Sequence, residues 1–245
     1  MYMKYLSPSR LSLFAQCPLS FKFKYIETPT WEDETTDYYA AYGTLFHEIA
    51  EKLAKDEIAP WEATNLYNEG FPLCYIPEQQ RANYYPQGLS GIQAVAEELE
   101  TLKPNILGVE KEFTFMMDFS VPPLHGFIDL VYEDKCGLVI RDYKTSRVYT
   151  KTIMDNQLQP YIYSLACKEL YGRYPYKFEF HFVRFNEKKS FLINDSFLKF
   201  GEIKVRNYWN EIQKSDFPAC YNPFFCENFC SSKSLCPIYQ IKVNK

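Results

Sequence analysis

The alternation of apolar and polar residues predicts three neighbouring strands in the middle of the chain. These runs cover residues 107–116, 124–132 and 137–143, and a fourth alternating run follows at 176–185. The polar segment 133–137, between the second and third runs, has the length of a hairpin connection. We therefore expect the second and third strands to be antiparallel neighbours.

Helical periodicity and capping residues predict helices before, between and after these strands. Ser7 followed by Pro8 is typical of a helix N-terminus, and this helix is expected to end at Gln16. Further helices are predicted after Pro18 and at 38–55, 60–69, 90–103, 157–170 and 195–213, with loops at 27–37, 70–88 and from 217 onwards. Helices around a mixed sheet define an α/β architecture. We interpret residues 1–245 as a single domain with a helical insert at 56–105.

Two aspartates and a lysine are predicted to meet at one edge of the sheet. Asp142 and Lys144 end the third strand on the same face, and the hairpin would bring Asp129 beside Asp142. Two carboxylates and an ammonium group can hold a divalent metal ion and direct a water molecule at phosphorus. The alternative is an ordinary surface pair on the rim of the sheet, because D-x-K is a short pattern.

Two of the predicted helices carry further polar side chains that are candidates for the same site. His47 lies next to the apolar stripe of the helix at 38–55, so its side chain would point toward the body of the protein. It is either a core histidine with its hydrogen bonds satisfied or a nitrogen ligand for a metal ion. Gln157 and Tyr161 are four residues apart and share a face of the helix predicted at 157–170. That pair is either part of the same site or an ordinary polar helix start.

The order of these motifs resembles the PD-(D/E)XK nuclease superfamily. G-x-x-x-H ending at His47, G-x-x-D ending at Asp129, D-x-K at 142–144 and Q-x-x-x-Y at 157–161 follow each other as in its RecB-type branch. That branch includes AddB-like exonucleases and the CRISPR-adaptation nucleases related to them. The resemblance implies a restriction-endonuclease-like core, in which helices flank a mixed sheet.

The resemblance also implies roles for individual residues in metal-dependent hydrolysis of DNA. Lys144 would orient or help deprotonate the attacking water, and Glu110 matches an acidic position of some members. Glu112 shares the predicted strand face of Glu110, so the choice between them stays open. The implied catalytic residues are Asp129, Asp142, Lys144, Gln157 and Tyr161. The implied ligands of Mg²⁺ or Mn²⁺ are His47, Glu110, Asp129, Asp142 and the carbonyl group of Tyr143.

Four of the eight cysteines are clustered near the C-terminal end of the sequence, at positions 220, 226, 230 and 236. An even number of cysteines permits disulfides. The N-terminal residues, however, have no apolar segment typical of a secretion signal, and a cytoplasmic location is expected. Thiols stay reduced in the cytoplasm, where clustered thiolates suit zinc or an iron–sulfur cluster. The spacing alone does not choose between these two.

The N-terminal segment connects these cysteines to the same resemblance. The run from Leu6 to Leu11, followed by Cys17-Pro18, is similar to the N-terminal signature of the RecB-type branch. The resemblance implies a 4Fe-4S cluster that connects the region 215–240 to Cys17, and zinc or free thiols remain the alternatives. Three residues separate Cys226 from Cys230 where the family has two, so Cys220 could replace Cys226. The implied cluster ligands are Cys17, Cys226, Cys230 and Cys236. Buried apolar roles are expected for Cys74, Cys136 and Cys167.

Composition limits the remaining possibilities. A hydrophobic content of 47% in 245 residues is sufficient for a sizeable core. The formal net charge of −4 argues against a protein that coats duplex DNA by charge alone. It does not exclude a nuclease, because bound cations offset acidic site residues. No apolar run has the length of a membrane span.

The resemblance favours a DNA exonuclease as the function of the chain. The expected substrate is single-stranded DNA or DNA ends, in recombination, repair or phage DNA processing. One alternative is a nuclease of the CRISPR-adaptation type that stays inactive until a recombination or adaptation partner binds. A second alternative is a DNA-binding subunit that does not cleave. Polarity of digestion, strand preference and oligomeric state are left open.

Overall fold

The chain folds into two compact units. The computed structural model describes residues 3–28 and 38–243, with the backbone alone for Val243. The terminal unit comprises Met1–Asp37, Thr114–Gly126 and Leu198–Lys245, and the central unit comprises Tyr38–Phe113 and Phe127–Phe197. The single domain and the helical insert at 56–105 stay predictions. The helices of the described residues are α1 (Pro8–Gln16), α2 (Pro18–Lys22), α3 (Tyr38–Ala54), α4 (Pro60–Gly70), α5 (Glu78–Leu102), α6 (Lys151–Asp155), α7 (Gln159–Tyr171), α8 (Asp195–Lys214), α9 (Pro223–Asn228) and α10 (Pro237–Val243).

A five-stranded mixed sheet lies largely in the central unit. Its strands, in spatial order, are β1 (Ile106–Phe115), β2 (Leu124–Asp134), β3 (Gly137–Lys144), β4 (Lys177–Phe182) and β5 (Glu187–Leu192). β2 and β3 are antiparallel, β3 and β4 parallel, and β4 and β5 antiparallel. The predicted α/β class, the first three strands and the hairpin are confirmed. The strand predicted at 176–185 is confirmed as β4, but it ends at Phe182 and not at Phe185. The chain turns at Val183–Phe185, and Asn186, with a φ of 48°, leads into β5.

Helices cover both faces of this sheet within the central unit. Buried residues of α3, α4 and α5 pack with Leu130, Tyr132, Val139 and Tyr143 in one hydrophobic cluster. On the opposite face, the ring of Tyr163 in α7 contacts the rings of Phe113 and Phe178 at centroid distances of 5.5 and 6.2 Å. The expectation that helices flank a mixed sheet is confirmed.

Helix α5 is longer than its sequence predicts. Residues 78–88 belong to it, although Pro86 and Gly88 predict a loop at 70–88. Pro86 cannot donate to the preceding turn. The Tyr67 hydroxyl of α4 donates to the Tyr85 carbonyl at 3.1 Å, which anchors this part of α5 to α4. Gly88 is required because a Cβ there would lie 2.1 Å from the Tyr67 hydroxyl and 2.2 Å from that of Tyr42. Tertiary packing therefore outweighs the local preference.

A buried charge network fixes the middle of β3. The guanidinium group of Arg141, which points away from the Asp142 face, lies 3.0 Å from a Glu98 oxygen and 3.1 Å from a Glu179 oxygen. Tyr132 donates a further hydrogen bond to Glu179 at 2.7 Å. Removing one partner of such a buried network typically costs about 3–5 kcal/mol. The network thus holds the strand that carries Asp142 and Lys144.

The terminal unit contains the helices predicted at both ends of the chain. The Ser7 side chain accepts from the Arg10 amide at 3.2 Å, so α1 begins as predicted. The predictions of α2 and α8 are also confirmed, whereas the tail predicted as a loop contains α9 and α10. The loop predicted at 27–37 lies mostly outside the described residues. Within 3–28 and 38–243, no helix combines the length and the apolar character that crossing a membrane requires.

Replacing Gly91 with alanine is expected to destabilise the protein by about 1–3 kcal/mol, as overpacking of a core does. A Cβ at Gly91 would lie 2.6 Å from the backbone oxygen of Val183, so α5 or the turn after β4 must shift. Gly43→Ala in α3 is the matched control, since its Cβ would meet the Thr145 hydroxyl at an ordinary 3.4 Å. Urea unfolding measures both variants. Equal stability of the two would contradict the close contact.

Candidate metal centre and catalytic site

Three side chains of the central unit converge into one possible metal site. The imidazole Nδ1 of His47 lies 3.4 Å from a carboxylate oxygen of Asp129 and 3.8 Å from one of Glu110. Among the described residues, this is the group of three His, Cys, Asp or Glu side chains whose ligand atoms all lie within 4.8 Å of one another. One nitrogen and two carboxylate oxygens suit Mg²⁺ or Mn²⁺.

The backbone of β1 explains why Glu110 belongs to this group. Glu110 has a φ of 45°, which is uncommon for a residue with a Cβ. This conformation interrupts the alternation of the strand, so Glu110 approaches His47 while Glu112 is exposed. Holding such a backbone conformation costs about 1–3 kcal/mol and is frequent at functional sites. The structure thus brings Glu110, and not Glu112, to His47.

Asp129 lies where β2 and β3 stop pairing through their backbones. The register of the two strands ends with the pair Leu130 and Arg141. Beyond it, the backbone amide of Tyr143 donates to the Asp129 carboxylate at 2.7 Å. The side chain of Asp129 therefore takes the place of a backbone acceptor. A role of the Tyr143 carbonyl as a metal ligand stays a prediction.

Asp142 and Lys144 share a face of β3, as the sequence predicts. Lys144 Nζ lies 2.5 Å from Asp142 Oδ2, yet this buried oxygen accepts no well-aligned hydrogen bond among the described residues. Gln159 bridges the pair: its amide nitrogen donates to Asp142 Oδ1, and its amide oxygen accepts from Lys144 at 3.0 Å. Gln159 therefore fixes the relative orientation of the carboxylate and the ammonium group.

The structure brings Gln159 rather than Gln157 to these residues. The amide nitrogen of Gln157 donates to the Ile153 carbonyl at 3.2 Å, and α7 begins only at Gln159, so the predicted helix start at 157 is wrong. Tyr163, four residues after Gln159, is the tyrosine whose pKa is raised by burial and by Asp142 and Asp129. Tyr161 is buried. Pro160 is the missed signal, because proline favours the first turn of a helix and places its start at Gln159.

The electrostatics of these side chains fit a divalent cation. Burial and the neighbouring Asp142 charge raise the pKa of Asp129 to about 7. Burial lowers the pKa of His47, but Asp129, Glu110 and Asp142 outweigh it and raise that pKa to about 9. The carboxylates thus hold a proton on His47 near neutral pH. A bound cation would replace this proton and relieve the repulsion between the carboxylates.

Five cysteines of the terminal unit line one pocket. Cys17, Cys226 and Cys230 are buried, Cys236 is half-buried and Cys220 is exposed. Burial and the nearby Cys17 raise the pKa of Cys220, which places that thiol beside Cys17. No three of these sulfur atoms, all of which are described, lie within 4.8 Å of one another.

The cysteines outside this pocket follow the predictions in part. Cys74 and Cys167 are buried, as expected. Cys136 is exposed, so its predicted burial is wrong. The reason is its position in the two-residue connection between β2 and β3, where side chains face solvent.

Comparisons with known proteins identify the family of this chain. A family model of the PD-(D/E)XK nuclease superfamily matches residues 5–237. No curated protein matches significantly. Among solved structures, a presumed exonuclease from Eubacterium rectale is 12% identical over 86% of this chain and 80% of its own, with a TM-score of 0.49. The protein SSO0001 is 15% identical over 65% of this chain and 79% of its own, with a TM-score of 0.39. The family match covers nearly the whole chain, and the chain therefore belongs to the PD-(D/E)XK nuclease superfamily.

Proposed function

We propose that this protein is a DNA exonuclease that requires Mg²⁺ or Mn²⁺. The observation that carries the proposal is the convergence of His47, Glu110 and Asp129 beside the pair formed by Asp142 and Lys144. A divalent cation held there would lower the pKa of a bound water and stabilise negative charge on a phosphate group. Single-stranded DNA or DNA ends are the proposed substrate, since exonuclease action is the commonest role of the branch that the sequence resembles.

The residues around the cation would orient and neutralise the reacting groups. Burial lowers the pKa of Lys144, but the neighbouring Asp142, Tyr149 and Asp129 raise it overall, so the ammonium form is favoured before a cation binds. A protonated lysine donates hydrogen bonds and offsets phosphate charge; it does not accept a proton from water. Gln159 holds Lys144 against Asp142. We therefore assign Lys144 to charge stabilisation and orientation of the water.

The alternatives differ from this proposal in testable ways. A subunit that does not cleave has no need for the complete set of Asp129, Asp142 and Lys144, and the presence of all three favours an active enzyme. A nuclease that depends on a recombination or adaptation partner would be inactive alone and would copurify with that partner. A role in recombination, repair or phage DNA processing is part of the same proposal.

The direct test uses DNA labelled at one end. Single-stranded, duplex and circular substrates are incubated with the purified protein and Mg²⁺ or Mn²⁺, with EDTA as the control. We expect mononucleotides or short products from linear substrates, and intact circles. Cleavage of circles would indicate endonuclease action, and no cleavage of any substrate would overturn the proposal for the isolated protein.

We also propose that Cys17, Cys226, Cys230 and Cys236 hold a 4Fe-4S cluster, with Cys220 as the possible substitute for Cys226. The five thiols share a pocket, and their sulfur atoms are too far apart for three to bind a single ion without moving. A tetrahedral zinc site with bonds of about 2.3 Å needs sulfur atoms roughly 4 Å apart, whereas the larger cluster needs wider spacing. A cluster at these positions would stabilise both ends of the chain.

Purification without oxygen tests the cluster. We expect a brown protein that contains iron and acid-labile sulfide in about equal amounts, as the composition of the cluster requires. A colourless protein with one zinc ion per chain would favour the zinc alternative.

Replacing each of the two glutamines with alanine is expected to show which of them belongs to the site. Gln159→Ala should lower kcat by about 10–100-fold, the effect of losing a side chain that orients metal-site groups. Gln157→Ala, which removes a bond to the Ile153 carbonyl, should leave kcat within about twofold of the wild-type value, as surface changes do. Steady-state cleavage of a labelled oligonucleotide measures both. A larger effect at Gln157 than at Gln159 would reinstate the assignment made from sequence.

A further inference from the structure

A buried hydroxyl group lies in the cysteine pocket without a partner. Ser232 is 1% exposed, and its Oγ has no hydrogen-bond partner among the described residues. The residue lines the pocket that contains Cys17, Cys226, Cys230 and Cys236. A buried hydroxyl that donates to nothing costs about 1–3 kcal/mol. Such a group in a native protein usually marks a ligand, an ion or a water that satisfies it.

The neighbours of Ser232 show what kind of group would satisfy this hydroxyl. Burial raises the pKa of the Cys230 thiol, whereas the Ser20 hydroxyl, 3.8 Å from its sulfur, and the backbone amide of Ser232 act in the opposite direction. Ser20 is also buried and lines the same pocket. Hydroxyl groups from two separate segments thus lie near one sulfur ligand. The partner that the Ser232 hydroxyl lacks can be an acceptor, and thiolate and sulfide sulfurs are acceptors. The Ser20 hydroxyl, which accepts from the Cys230 thiol, can donate once that sulfur is a thiolate.

We propose that the hydroxyl groups of Ser232 and Ser20 donate hydrogen bonds to the sulfur atoms of the bound cluster and raise its reduction potential. The inference rests on the proposed 4Fe-4S cluster. Adding an electron makes the cluster more negative, and hydrogen bonds to a more negative acceptor are stronger. Donors around the sulfur atoms therefore stabilise the reduced form more than the oxidised form. Ser232 is the larger contributor, because its hydroxyl has no other partner.

The test is a redox titration of the whole protein, reconstituted without oxygen and reduced stepwise with dithionite. The reduced cluster is followed by electron paramagnetic resonance. Ser232→Ala should lower the equilibrium constant for reduction roughly threefold to tenfold, which corresponds to a potential about 30–60 mV more negative at 59 mV per tenfold change. Ser20→Ala should shift it in the same direction by less. Ser234→Ala is the matched control, since Ser234 is exposed in the same segment and does not line the pocket.

A second pair of variants keeps the test decisive if Ser232→Ala assembles no cluster. Ser232→Thr and Ser232→Val have nearly the same shape and differ in the hydroxyl group. We expect the threonine variant to retain the wild-type potential and the valine variant to be more negative. Equal potentials for these two, or for Ser232→Ala and the wild type, would overturn the inference. If the wild-type protein binds no iron and sulfide, that result would instead contradict the proposed cluster itself.

Discussion

Replacing Asp142 with asparagine is expected to abolish metal-dependent cleavage while the protein stays folded. The carboxylate of Asp142 is 1% exposed, lies against Lys144 and raises the pKa of Asp129. Asparagine keeps the shape of the side chain but removes the charge that the cation and Lys144 require. Loss of one such electrostatic contact typically lowers kcat by about 10²–10³-fold, and weaker binding of the cation beside Asp142 adds to that.

The matched control is Asp134→Asn in the same hairpin. Asp134 ends β2 far along the strand from Asp129, and its carboxylate accepts from the Cys136 amide at 2.8 Å, a bond that asparagine can also make. The other carboxylate oxygen of Asp134 accepts from the Tyr176 hydroxyl, and the amide nitrogen of asparagine cannot. We therefore expect this variant to keep wild-type activity with a small loss of stability. Circular dichroism and urea unfolding verify the fold of both proteins. Nuclease activity that persists in Asp142→Asn, with contaminating nucleases excluded, would remove Asp142 from the site.

The second large effect is expected for Lys144→Met. The methionine side chain has a similar length but no charge, so it cannot offset the phosphate or donate to the water. Positioned acid–base and hydrogen-bonding side chains typically contribute about 10²–10⁴-fold to the rate, and we expect a loss in that range. Metal binding should persist and tighten, because a cation beside Asp142 has been removed.

Two measurements are needed for this variant, because activity alone does not separate the roles of metal and lysine. Isothermal titration with Mn²⁺ gives the metal affinity, and single-turnover cleavage at saturating Mn²⁺ gives the rate. Lys135→Met, at the exposed turn between β2 and β3, is the control for loss of a positive charge. Weaker Mn²⁺ binding in Lys144→Met, with a normal rate at saturation, would contradict the role assigned to Lys144.

Much of the site was predictable because its residues follow regular elements. Alternation along β3 places Asp142 and Lys144 on one face, and the short connection after β2 brings Asp129 to them. The apolar stripe of α3 directs His47 to the same place. These inferences need only the periods of strands and helices.

The parts that the sequence did not predict depend on backbone detail. Glu110 approaches His47 through a φ of 45°, which alternation does not anticipate. Residue spacing does not distinguish Gln159 from Gln157, because the run from 157 to 163 contains two glutamines, each with a tyrosine four residues later. The position of Pro160 in the first turn of α7 distinguishes them. The extension of α5 through Pro86 depends on tertiary packing, which local preferences cannot show.

The account depends on one cation bound between α3, β1 and β2. Anomalous X-ray scattering from crystals of the protein grown with Mn²⁺ tests this most directly. We expect one strong peak coordinated by His47, Glu110 and Asp129 and adjacent to Asp142, and its loss in crystals of Asp129→Asn. Manganese bound elsewhere in an active protein, with none between these side chains, would contradict the metal-dependent mechanism.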